Sequence, residues 1–86
     1  MANRDKLLAR IRAGRNNVRI ADLMALMTSW GFRYRKNDHA YLFQHDDLRG
    51  VTVTAANPHG REKKVLKRYV DNCIDAIEQL MEVQDE

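Results

Sequence analysis

One cysteine, Cys73, occurs in the 86 residues, so the chain closes no disulfide within itself and offers no thiolate cluster for zinc. It has no apolar run near the roughly 18 residues that suggest a membrane span. The opening residues Met1-Ala2-Asn3-Arg4-Asp5-Lys6 lead into a charged periodic segment and hold no apolar signal core. Internal repeats, linkers and low-complexity stretches are absent, and the single proline, Pro58, sits in a loop-forming stretch. These absences argue against an export signal, a disulfide scaffold and a membrane partner, and they favour a reducing, cytoplasmic setting. What remains is a chain with an ordinary hydrophobic share of 44%, enough for one folded domain over residues 1–86.

Net charge is +3, and its placement says more than its size. Residues 1–19 hold six cations (Arg4, Lys6, Arg10, Arg12, Arg15, Arg19) against Asp5, and residues 20–50 are balanced. Residues 51–70 carry Arg61, Lys63, Lys64, Lys67 and Arg68 against Glu62 alone. From Asp71 onward every charged side chain is acidic. A basic body with an acidic end favours a polyanionic partner, nucleic acid above all, although a solvated helix face has the same composition.

Periodicity orders the chain. Asp5 to Ala13 reads as a short basic helix within 4–14, with Leu7, Leu8 and Ile11 as its apolar stripe and Gly14 as its end. Arg15-Asn16-Asn17 is a polar connection with capping capacity, which opens a core expected to span 17–81. A second helix is predicted from about Arg19 to Trp30, where Ile20, Leu23, Met24 and Met27 share a face, and Gly31 is its stop. At Phe32 the period becomes two. Phe32 to Arg35, His39 to Gln44 and Val51 to Ala55 read as strands joined by short connections, an antiparallel meander. Asn57-Pro58-His59-Gly60 leads to a last helix from about Glu62 to Met81, with 82–86 as an acidic tail. That helix is basic at its start and acidic at its end, the reverse of what the helix dipole favours, so Arg61, Lys63, Lys64, Lys67 and Arg68 read as a phosphate-facing patch. The expected fold is α+β in the order α-α-β-β-β-α, with helices on one face of a three-stranded sheet.

The sharpest chemistry lies at His39, at a strand start beside Arg33, Arg35 and Lys36. A neutral imidazole accepts a proton from a ribose 2′-hydroxyl near neutral pH, and in-line attack on the adjacent phosphate then gives a 2′,3′-cyclic phosphate and a free 5′-hydroxyl. Arg33, Arg35 and Lys36 are candidates to hold the phosphate. Asp38 is a candidate to raise the imidazole pKa if the two side chains meet, and His59 a candidate substrate contact or a plain turn residue. His45 reads as a loop residue, and three histidines without thiolates or compact spacing do not read as a metal site. Tyr34, Tyr41 and Phe43 are either core residues or stacking platforms for unpaired bases.

Several fragments in this order resemble the HicA family of toxins from bacterial toxin–antitoxin pairs. They are Asn17-Val18-Arg19-Ile20-Ala21-Asp22-Leu23, Trp30-Gly31-Phe32, the His39 strand, Val51-Thr52-Val53, Pro58-His59-Gly60-Arg61-Glu62-Lys63-Lys64-Val65 and Tyr69-Val70. The resemblance implies a fold like the double-stranded-RNA-binding domain. It also implies messenger RNA cleavage without a metal or other cofactor, by a histidine in the second strand, and a HicB-type antitoxin that blocks the site. The family writes Gly-Ser-His where this chain has Asn37-Asp38-His39. Anchoring on His39 makes it the catalytic residue; anchoring on Phe43-Gln44-His45 puts Ala40 at that position and makes the chain an inactivated relative or one using His39 from a neighbouring position. The first register is preferred. The competing readings are a non-catalytic RNA-binding module, a docking protein and, less well supported, a helix-turn-helix around Gly14-Arg15-Asn16-Asn17.

Overall fold

Asn3 opens the first helix, α1 (Arg4–Ala13), by accepting on Oδ1 the backbone N–H groups of Asp5 at 2.9 Å and Lys6 at 3.4 Å. The computed structural model describes residues 3–58 and 63–84. The second helix, α2 (Ile20–Ser29), has no side-chain cap, so the asparagines of the connection do not serve it. Its first N–H, on Ile20, donates instead to the Lys63 carbonyl at 2.9 Å. At the far end Phe32 N–H donates to the Met27 carbonyl and Gly31 N–H to the Thr28 carbonyl, both at 3.0 Å. This is the Schellman arrangement, and Gly31 takes the left-handed backbone it needs, with φ 89°.

The three strands β1 (Arg33–Lys36), β2 (Ala40–Gln44) and β3 (Val53–Ala56) form an antiparallel sheet in sequence order, as the period-two runs predict. The third strand starts two residues later than expected because Val51 N–H is taken by the Leu48 carbonyl in a turn, at 3.2 Å. Tyr41, Phe43, Val53 and Ala55 point to one face and are buried there against Leu23, Leu26 and Met27 of α2 and the apolar side of the last helix. Tyr41 and Phe43 are therefore core, as is Met27, while Tyr34 at the sheet edge is 46% exposed.

The last helix, α3 (Lys67–Gln84), begins well after Glu62, where the sequence pattern placed its start. Lys63 has φ 55°, which breaks helical geometry, and residues on either side of Lys64 are held by the chain ahead of α2. Val65 N–H donates to the Val18 carbonyl at 2.8 Å, completing an isolated antiparallel bridge between Arg19 and Lys64. Leu66 consequently lies outside the helix and is 58% exposed, not on its apolar face. The buried side of α3 is Val70, Cys73, Ile74, Ala76, Ile77 and Leu80. Burial pushes the Cys73 thiol up to about 12, so it packs as a small apolar group and supplies no thiolate.

The reversed charge of α3 has a partner within the fold. Arg12 Nη2 donates to Glu78 Oε1 at 2.8 Å, and Arg15 Nη1 donates to Asp71 Oδ1 at 2.7 Å. Lys67 Nζ donates to the second Asp71 oxygen at 2.8 Å. Hydrogen bonds from Lys67 and then Arg15 hold the Asp71 carboxyl below its ordinary range. Acidic residues of α3 thus bind Arg12 of α1 and Arg15 just beyond its end, and Leu8 and Ile11 of α1 are buried in the same core. No helix among the described residues is long and apolar enough to cross a membrane.

Candidate functional site

The loop between β1 and β2 is built by an asparagine. Asn37 Oδ1 accepts the backbone N–H groups of His39 and Ala40, each at 2.8 Å, and Asn37 N–H donates to the Ala40 carbonyl at 3.0 Å. Because Asn37 takes the His39 N–H, β2 starts at Ala40 and His39 stands one residue ahead of it. A second asparagine ties the tip to the end of β3. Asn57 N–H donates to the His39 carbonyl at 2.9 Å, and Asn57 Nδ2 donates to the Asn37 carbonyl at 3.1 Å. The backbone on both sides of His39 is therefore fixed, while its side chain is exposed and free of hydrogen bonds and ion pairs within the described residues. No hydrogen bond or ion pair joins Asp38 to the imidazole, so nothing here supports its role as a partner.

The cations divide between two faces. Arg33 is opposite Gln44 and Arg35 opposite Leu42, on the face away from the helices. Lys36 is opposite Tyr41, its ammonium 5.4 Å from the ring centroid, at the same end of the hairpin as His39. Asn57 also lines a groove of about 290 Å3 together with Pro58, Lys64, Leu66, Arg68 and Tyr69. Arg68 lies over Tyr69, 4.9 Å from the ring centroid, with Nη2 donating to the phenol oxygen at 3.1 Å. Asn57 Oδ1 is buried without a partner beside this groove. The structure therefore brings His39, Lys36, Lys64 and Arg68 to one end of the molecule. Arg33 and Arg35 lie elsewhere, and Lys63 contributes its carbonyl to α2. Lys67 is engaged with Asp71. Arg61 and His59 lie outside the described residues.

His45 is structural. Its Nδ1 accepts the Asp47 backbone N–H at 3.0 Å and its ring meets Phe32 edge-on at 5.1 Å. A Cβ on Gly31 would fall 2.9 Å from His45 Nε2. Gly31→Ala is therefore expected to cost about 1–3 kcal/mol, from the left-handed backbone and the displaced ring together, read as a lower denaturant midpoint. At this hairpin tip His39 supplies the imidazole, whereas Ala40 has no group suited to proton transfer and is 8% exposed. Among the described residues no group of three or more His, Cys, Asp or Glu side chains is placed to hold a metal.

Asn57 was absent from the site drawn from sequence. Arg68 stood in the basic run; the link from Asn57 to His39 spans the two ends of the sheet sequence and leaves no local pattern. Comparison of the chain with family models, curated proteins and solved structures gave no significant match.

Proposed function

We propose that this protein is a metal-independent endoribonuclease that cleaves messenger RNA in the cytoplasm with His39 as general base, and that a HicB-type antitoxin neutralises it. The observation that supports this most is the His39 imidazole: exposed and unpartnered among the described residues, on a backbone pinned by Asn37 and by Asn57, which itself lines a groove with Lys64 and Arg68. A neutral Nδ1 or Nε2 takes the 2′-hydroxyl proton, and the oxygen attacks the neighbouring phosphorus in line. The P–O5′ bond breaks to leave the 2′,3′-cyclic phosphate, and the departing 5′-oxygen takes a proton from water. Cationic side chains of Lys36, Lys64 and Arg68 offset the charge that develops on the phosphate oxygens. Exposure suits a substrate of this size, since an RNA strand brings its own surface to cover the site.

The second reading, a non-catalytic RNA-binding module, is favoured by one observation: no hydrogen bond orients the His39 ring. Inducible expression in a bacterial host separates the two. Wild type is expected to arrest growth and deplete messenger RNA, and His39→Ala to do neither at equal protein level. RNA binding without any loss of message in wild type assigns the chain to the second reading.

A further inference from the structure

The face of the sheet turned away from the helices carries its own chemistry. By register it presents Arg33, Arg35, Leu42, Gln44 and Thr54, and a hydrogen bond of 3.1 Å from Gln44 Nε2 to Thr52 Oγ1 places Thr52 with them. Beyond the strand ends it runs into an open basin of about 510 Å3, where Arg33 and Gln44 meet Asp46, Arg49, Gly50 and Val51. Among the described residues, neither the Arg35 nor the Arg49 side chain makes a hydrogen bond or ion pair. Among the described residues the one carboxylate ion-paired to these arginines is Asp46, whose Oδ1 accepts from Arg33 Nη2 at 2.7 Å. Both partners are largely exposed, 72% and 80%, so water and salt screen the pair and an incoming anion can compete for the guanidinium.

We propose that this open face is a second RNA-backbone contact surface, in which Arg35, Arg33 and Arg49 hold phosphates of one strand some distance from the bond cut at His39. The inference rests on the RNA-directed reading above and extends it. Arg33 and Arg35 stand two residues apart on the edge strand β1 and Arg33 shares the basin with Arg49, a run of cations suited to one phosphodiester backbone. Tyr41 and Phe43 are buried on the other face, and Tyr34, 46% exposed, lines a shallow groove with Arg33, Arg35, Leu42 and Gln44. The arginine contacts are to phosphate, and they position the strand without reading its sequence. From His39 to His45 the strand rises about 20 Å, at roughly 3.3 Å per residue, so the basin takes phosphates several nucleotides away from the site. Asp46 holds Arg33 until a phosphate displaces it.

The test measures affinity for a fluorescein-labelled single-stranded oligoadenylate against salt concentration, in a His39→Ala background so that no RNA is cut. Arg35→Ala combined with Arg49→Ala is expected to weaken binding about tenfold and to flatten the log–log salt slope by about 1.4, two contacts at roughly 0.7 each. Asp46→Asn is expected to tighten binding about two- to fivefold by releasing Arg33, a gain that misfolding does not produce. Loss of affinity with an unchanged slope, or no gain in Asp46→Asn, overturns the proposal, as does tighter binding of an RNA duplex than of the single strand. The measurement is independent of cleavage: if wild type binds this RNA in the predicted way and never cuts it, the surface stands and the endoribonuclease reading falls.

Discussion

His39→Ala is expected to lower the single-turnover rate of RNA cleavage by a factor of about 10² to 10⁴, the usual contribution of a positioned general base. The fold should be unaffected. The imidazole is exposed and holds nothing, and its backbone N–H and carbonyl bonds to Asn37 and Asn57 survive the substitution. Stability should therefore change by no more than about 0.5 kcal/mol. RNA affinity should also persist, because Lys36, Lys64 and Arg68 at this end and the arginines on the open face are untouched. Activity lost with affinity and denaturant midpoint retained is the signature of a group that acts in the transition state alone. Equal loss of binding and rate would instead make His39 a contact residue.

The largest effect on stability is expected at Phe43. Its side chain is fully buried in the central strand, pairs with Val53 on one side and Tyr34 on the other, and faces the core of α2 and α3. Phe43→Ala removes the ring from a site that neighbouring elements cannot refill without shifting, at a cost of about 3–5 kcal/mol. A domain of this size has about 5–15 kcal/mol in total, so the variant should unfold at a much lower denaturant concentration. Tyr34→Ala, at the exposed edge of the same ladder, should cost far less despite the 6.3 Å approach of its ring to Phe43. Equal losses at the two positions would contradict the placement of the core on one face of the sheet.

The elements that were legible in the sequence are those whose pattern is local. The helix ending at Gly31 and the alternating strands declare themselves through periods of 3.6 and 2, and a glycine is the natural residue for the left-handed turn between them. The start of α3 was not legible, because it depends on residues 63–65 bonding to residues 18–20, a contact between distant parts of the chain. The N-terminal cations tell the same story. Arg12 and Arg15 count toward a polyanion-binding charge in composition, yet they pair with Glu78 and Asp71, 66 and 56 positions away. The reversed charge of α3 suggested a phosphate patch at its start; Glu78 and Asp71 of the helix pair with Arg12 of α1 and Arg15 after it, and Lys67 is bound to Asp71.

The candidate site was legible in part. His39 stood out through its chemistry, and Asn37 through its turn propensity, but the grip of Asn57 on the hairpin tip joins residues twenty positions apart. The alternation rule already divides Arg33 and Arg35 from Lys36. Grouping all three around one phosphate followed their nearness in sequence and overlooked the face each occupies.

The most direct test of the central claim is the chemistry of the cut ends. Purified wild-type protein would be incubated in EDTA with an RNA strand and with the same strand carrying 2′-deoxyribose, and the product termini analysed. The account predicts cleavage of the RNA to 2′,3′-cyclic phosphate and 5′-hydroxyl ends, with no cut at any phosphate whose upstream, 3′-linked ribose lacks the 2′-hydroxyl. Cleavage of the deoxy strand, or products bearing a 5′-phosphate, would contradict a mechanism in which His39 activates that hydroxyl.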